Sequence, residues 1–328
     1  MRRREFITLL GGAASAWPSA ARTQQAAIPV IGLLDPGSVD SSARKLAGFV
    51  KGLNSAGYID GKNVAIEYHL LEGQYDRVPE VLADLVHKSV AAIVIPGFQV
   101  AALVAKAATA TIPIVFGVAE DPVKLGLVAN LARPGGNATG VNSFAQEIGA
   151  KRLRLLHELV PTAHRVAVLV NPNNASATET TLRDVQDAAP VLGLQVMILN
   201  ATTIAEINSA FAALARDRPD ALFVAPDGFL NSRAVQFAIL SARERIPASY
   251  SNRETVAVGG LMSYGTDLAE VFSKVGVYTG RILKGEKPTE LPVLQETKFE
   301  FVINVQTARA LNIEVPPSVL SIADEVIE

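Results

Sequence analysis

Apolar residues along this chain fall in short, nearly unbroken runs that end at proline, glycine, asparagine or aspartate. "PVIGLLD" (29–35), "VAIEYHL" (64–70), "AAIVIPG" (91–97) and "TIPIVFG" (111–117) come first. "RVAVLVN" (165–171), "LQVMILN" (194–200), "ALFVAPD" (221–227) and "RIPASYS" (245–251) follow in matching order, about 130 to 136 residues later. Four matched runs predict an internal duplication of architecture. Runs that are apolar without alternation predict strands covered on both faces.

Between the runs, the apolar spacing becomes helical. Residues 44–56 carry Leu46, Phe49, Val50 and Leu53 on one stripe and stop at Gly57. Residues 78–87 do the same with Val78, Val81, Leu82, Leu85 and Val86, and 180–191 and 204–215 behave alike. This alternation predicts an α/β fold in which each half is a parallel sheet with helices on both sides. Arg133-Pro134-Gly135-Gly136 breaks the chain, and "NATGVNSF" (137–144) reads as an extended connection between the halves. The second half ends near "GGLMSYG" (259–265); a helix over 268–283 and an extended segment with a short helix in "KFEFVINVQTARALNI" (298–313) follow. The expected division is lobe one at 28–142 with 266–293, and lobe two at 143–265 with 294–328, joined by three crossings.

Composition narrows the function. Of 328 residues, 49% are apolar and 19% charged, with a formal net charge of -2. That balance gives no electrostatic case for binding nucleic acid. The absence of cysteine excludes disulfides, thiolate metal sites and thiol catalysis. His69, His87, His157 and His164 lack metal-ligand spacing, so no metal is expected. There is no Walker-type loop, and "GYIDGKN" (57–63) lacks GxGxxG spacing and precedes a strand, which argues against a dinucleotide cofactor. An enzyme is not expected.

The first residues, "MRRREFITLLGGAASAWPSAARTQQAA", have a basic start, an apolar run over 6–17 and small residues at Ser19, Ala20 and Ala21. That is the layout of a secretory signal. Arg3-Arg4-Glu5-Phe6 looks like a twin-arginine export address. Residues 1–24 are expected to be a cleaved export signal and the mature protein to be periplasmic. No cysteine follows to carry a lipid anchor.

The specific wording of the chain adds a resemblance. "RRREFITLLGG", "GLNSAGYIDGKNVAIEY", "EGQYDRVPEVLADL", "TIPIVFGVAEDPVKLGLVANLARPGGNATGV", "VAVLVNPNN" and "GGLMSYG" together span nearly all of the mature chain. They resemble the ABC-transporter substrate-binding family that includes tryptophan- and tyrosine-binding members. The resemblance implies a type I periplasmic binding protein with two Rossmann-like lobes around a cleft, acting as a monomer. It implies a small-molecule ligand, a membrane permease and its ATPase as partners, and hinge closure as the means of capture. A solute sensor serving a membrane receptor would share the same body.

In open parallel sheets, ligands sit beyond the carboxyl ends of the strands, where helix N-termini offer unpaired N–H groups. Asn171, Asn173 and Asn174 lie at such an end, either for a ligand carboxylate or as plain helix caps. Ser38, Gly97 and Phe98 occupy the matching turns of the first half; Phe98 either stacks on a ligand ring or staples the following helix. Glu120 and Asp121 end the fourth run, facing a ligand ammonium or, for Asp121, capping a helix. Asp227 is the foremost carboxylate for an ammonium, against a structural turn with Gly228. Ser143 and Phe144 at one crossing, and Tyr250, Ser263 and Tyr264 near another, complete the expected site. The mixture predicts a small amphipathic solute such as an amino acid, with an aromatic one favoured by the resemblance.

Overall fold

The computed structural model describes residues 28–143 and 148–328. Its strands are β1 (Val30–Asp35), β2 (Ala65–Leu70), β3 (Ala92–Pro96), β4 (Ile114–Val118), β5 (Ala138–Asn142), β6 (Arg165–Val170), β7 (Gln195–Asn200), β8 (Ala221–Val224), β9 (Ala248–Tyr250), β10 (Met262–Thr266), β11 (Leu294–Gln295), β12 (Phe299–Asn304) and β13 (Glu325–Ile327). The helices that position the site are α1 (Val39–Ser55), α2 (Val78–His87), α3 (Gln99–Ala108), α4 (Ile148–Leu159), α5 (Ala175–Ala188), α6 (Ile204–Asp217), α7 (Gly228–Asn231), α8 (Ala234–Glu244), α9 (Arg253–Ala257) and α10 (Leu268–Leu283).

Two sheets form. The first has the order β2-β1-β3-β4-β5-β11 and the second β7-β6-β8-β9-β10-β12-β13. The first five strands of each share one order, so the repeated apolar runs correspond to a repeated topology. The fold is thus α/β with two sheet-containing lobes. Two strands depart from the expected parallel arrangement: β12 runs antiparallel to β10, with Tyr264 opposite Phe301, and β13 runs parallel to β12. Between β10 and β12 the chain leaves the second sheet for α10 and β11 of the first lobe and then comes back.

The near-continuous runs have a direct physical cause. In β3, Ile93 and Ile95 face the cluster built with α2 and α3, while Ala92 and Val94 face the one built with α1 and α10. Successive side chains point to opposite faces, and both faces are covered, so every position is apolar. A third cluster fills the second lobe around Val168, Phe211, Phe223 and Phe237.

The chain passes from the first sheet to the second after β5, returns after β10 to place α10 against α1, and leaves again after β11. Leu294 and Gln295, which the expected boundary gives to lobe two, pair with Val141 and Asn142 on the first sheet. Helix α1 starts before the expected residue 44, because Ser38 and Ser41 form a reciprocal capping box. The expected export signal at 1–24 lies outside the described residues.

Candidate functional site

The carboxyl ends of both sheets face each other across a cavity of about 480 Å3. The first lobe contributes the turn after β1 at Pro36 and Gly37, the turn after β3 at Gly97 and Phe98, and the segment after β4 at Glu120 and Asp121. The second lobe contributes Asn174 with the first turn of α5, and Asp227 beyond β8. This is the edge at which the strand order reverses between β1 and β3, and between β6 and β8, leaving a crevice. The lining is largely apolar, with Tyr75, Phe98, Phe223, Val271 and Phe272 among its members.

The turns are built for close approach. Gly97 holds φ at +130°, a region that a side chain rarely adopts, and its Cα faces the Phe272 ring. Phe98 follows it as the N-cap residue of α3, with its ring tilted against Tyr75 at 4.8 Å between centroids. Asp35, at the end of β1, is buried and spends its carboxylate on Gly37 N–H, the Ser42 hydroxyl and Lys45, whose Nζ lies 3.0 Å away.

Several bonds tie the lobes together at the cavity. Tyr75 donates its hydroxyl to Asp227 Oδ2 at 3.0 Å, and Phe229 N–H donates to the same hydroxyl at 3.0 Å. Ser176 on α5 donates to Glu120 Oε2. Arg233 Nη2 donates to the Glu72 carbonyl at 2.6 Å, and Arg44 faces Glu254 at 3.5 Å. The structure is therefore a closed arrangement, with the lobes in contact around the cavity.

Of the residues singled out from sequence, Gly97, Phe98, Glu120, Asp121, Ser143, Asn174 and Asp227 reach the cavity. Their bonding refines the expected roles. Asp227 is 5% exposed and accepts from Asn171 Nδ2, Asn174 Nδ2, Tyr75 and the Leu230 N–H. Four donors already occupy its two oxygens, so the expected free carboxylate for an ammonium is instead the N-cap of α7 and an inter-lobe acceptor. Asp121 caps Val123 N–H at 2.9 Å. Glu120 differs: its Oε1 is buried at the cavity with no hydrogen-bond partner.

The other expected residues stand away from the cavity. Ser38 caps α1, and its neighbours Gly37 and Ser41 line the wall. Asn171 is buried beneath Asp227, and Asn173 is exposed. Tyr250 lies in the second core, sharing a hydrogen bond with Ser241 at 2.9 Å and packing on Phe237. Ser263 is buried in β10, and Tyr264 packs between Phe299 and Phe301. The physical reason is register: the cavity begins one or two residues further along, at Ser251, Gly265 and Thr266. Phe144 lies outside the described residues.

Among the cavity residues that escaped sequence reasoning are Tyr75 and Arg152. Tyr75 sits in "EGQYDRVPEVLADL" and carried no periodic signal of its own. Arg152 did carry one: it occupies the buried stripe of α4 with Leu155, Leu156 and Leu159, where a charge is out of place. It lines the cavity with its guanidinium over the Phe223 ring at 3.9 Å. Among the described residues there is no cluster of His, Asp or Glu able to hold a metal ion, and no helix long and apolar enough to cross a membrane.

Comparison with known proteins adds to this geometry. Residues 30–327 match the family described as ABC transporter substrate binding protein. The chain is 27% identical over 294 residues to the tyrosine-binding protein of Clostridioides difficile (strain R20291), covering 89% of this chain and 82% of that one. It superposes on the crystal structure of an ABC domain from Streptococcus pneumonia in complex with L-Trp, with a TM-score of 0.81, 27% identity, and 91% and 99% of the two chains covered. It also superposes on a conserved domain protein from Vibrio cholerae, with a TM-score of 0.82, 25% identity and the same coverage.

Proposed function

The chain belongs to the ABC transporter substrate-binding protein family, and on that premise we propose that it captures an amino-acid-like, amphipathic solute by closing its lobes around it. Membership carries the coarse function: binding a small organic solute for an ABC import system, without chemistry on that solute. A membrane permease and its ATPase are the partners such a system implies.

The observation that carries the finer reading is the cavity between the lobes. Its volume of about 480 Å3 falls in the range of sites that bury small ligands. Its walls combine aromatic surface from Phe98, Phe223 and Phe272 with polar and charged side chains such as Glu120, Ser143, Arg152 and Thr181. Glu120 Oε1 is a buried acceptor without a donor, and an ammonium supplies what it lacks. The names of the relatives, one tyrosine-binding and one holding L-Trp, support an aromatic amino acid. Because both lobes line the cavity, a solute there gains contacts in the closed state that the open state lacks, which drives closure. Export to the periplasm fits this role, and N-terminal sequencing of protein from a periplasmic extract checks it.

A thermal-shift screen of amino acids and aromatic acids tests the reading, because a ligand that binds only the folded state raises its melting temperature. Aromatic amino acids are expected to give the largest shifts, with no turnover. Small-angle scattering is then expected to show a smaller radius at saturation. Stabilisation by sugars alone, or binding with no change in radius, overturns the proposal.

A further inference from the structure

Arg152 is 1% exposed, yet it belongs to the wall of the cavity. Its Nη2 donates to the Val224 carbonyl at 2.8 Å, and its guanidinium stacks on Phe223. Its Nε is buried with no partner. Among the described residues, no carboxylate lies within ion-pair distance of it. Burial without a counter-charge pulls its pKa down to about 9. A buried charge in that position is costly until something pairs with it. The other cations at the cavity are placed differently: Lys45 is paired with Asp35, Lys124 is exposed, and the Arg183 side chain is 65% exposed.

A second feature of the same lobe points the same way. The N-cap of α5, Asn174, turns its side chain to Asp227 and makes no cap bond. The first turn of α5, at Ser176 and Ala177, lines the cavity; its backbone N–H groups receive no cap from Asn174, and its Ser176 hydroxyl already donates to Glu120.

We propose that Arg152 is the anion anchor of the cavity, receiving the carboxylate of the bound solute, with the uncapped backbone N–H groups of the first turn of α5 beside it. The planar guanidinium fork matches a carboxylate in two parallel bonds, and Phe223 holds the plane of the fork fixed. Glu120 and Arg152 then divide the labour across the cleft. The first lobe offers an acceptor for an ammonium and the second a donor for a carboxylate, so a zwitterion bridges the lobes. This deepens the amino-acid reading above and rests on it.

Calorimetry decides the matter with L-tyrosine, L-tyrosinamide and 3-(4-hydroxyphenyl)propionate, and with the corresponding tryptophan and leucine sets, on wild type, R152M and R152K. Wild type is expected to prefer acids over their amides by roughly 100-fold, the scale of a buried charge pair. R152M is expected to lose that preference. R152K, which keeps the charge without the fork, is expected to keep the preference with affinity about tenfold weaker. Equal affinity of wild type for acid and amide overturns the assignment, and so does an R152M that still prefers acids. If nothing in these sets binds wild type, the amino-acid reading fails, and ligand-free melting decides Arg152 separately. R152M melting well below wild type overturns the anchor and makes Arg152 a structural tie. R152M melting level with or above wild type supports a charge held for an anion.

Discussion

The phenol of Tyr75, in the first lobe, is clamped between Asp227 Oδ2 and the Phe229 N–H of the second, each at 3.0 Å. Burial, reinforced by the adjacent Asp227, pushes the phenol well above its ordinary range, so it keeps its proton and donates. The bond exists only while the lobes meet, which makes it a stabiliser of the closed state and not of either lobe. Y75F is expected to leave the ligand-free melting temperature within about a degree of wild type, since a change confined to the interface spares each core. Ligand affinity is expected to fall about tenfold, the worth of one hydrogen bond to a charged acceptor. Calorimetry and melting of the same preparation separate the two effects.

Asp227 is held by four protein donors, so its removal acts on closure and on the start of α7, without selecting for a ligand amine. D227A is expected to weaken an amino acid and its deamino analogue by similar factors and to destabilise the protein by about 1–3 kcal/mol, through a lost cap and orphaned donors. E120Q is expected to weaken only the amine-bearing member of the pair. Parallel titrations with L-tyrosine and 3-(4-hydroxyphenyl)propionate check both; a D227A defect confined to L-tyrosine restores Asp227 as an ammonium partner.

Gly228 packs directly under the opposite lobe. A Cβ there would meet the Pro36 side chain and approach the Tyr75 hydroxyl to 2.9 Å. G228A is therefore expected to wedge the cleft open. Scattering should give a larger radius in the presence of ligand than wild type shows, with affinity lower by more than about tenfold, because the ligand must do without its full set of closed-state contacts.

The fold was legible in the sequence because two-sided burial writes itself as apolar runs, and the repeat of those runs exposed the duplication. The turns after β1, β3 and β4 were legible for the same reason: a run must end where the sheet does. What escaped was the last residue or two of register. Tyr250 and Ser251 are adjacent in sequence, yet one points into the core and the other to the cavity, since neighbouring strand residues alternate. Tyr75 escaped because its role exists only between lobes, in a contact 152 residues apart in sequence. Asp227 lies at the wall, but its saturation by Asn171 and Asn174 depends on the spacing of two neighbouring strands, which no local pattern encodes.

His69, on β2, has its Nε2 buried without a hydrogen bond, and desolvation lowers its pKa below the ordinary 6.5 despite nearby Glu67 and Asp84. The folded state therefore prefers the neutral ring, and the unfolded chain takes up the proton first. Stability from this group is present above pH 6.5 and is lost as pH falls from there toward the folded pKa. H69Q is expected to flatten the dependence of urea midpoint on pH just below 6.5 relative to wild type. An unchanged slope removes His69 as its source.

The closest helix contact in the first lobe is made by glycines. A Cβ on Gly52 of α1 would run into the Ser273 carbonyl of α10, and one on Gly276 of α10 would run into the Phe49 carbonyl of α1. Backbone meets backbone on both sides, so no flexible side chain can yield, and the helices must separate to admit even a methyl group. Separation would pull Phe49 and Leu53 away from Phe272 and Val275 in the shared core. G52A is expected to be destabilising by up to about 2 kcal/mol, since overpacking costs about 1–3 kcal/mol and alanine returns only about 1 kcal/mol as a better helix former. Since α10 also brings Leu268, Val271 and Phe272 to the cavity wall, the same change is expected to weaken ligand binding. Urea denaturation should show a lower midpoint at unchanged slope. A G52A as stable as wild type would mean the two helices slide apart freely, and the cavity wall would then not depend on their close contact.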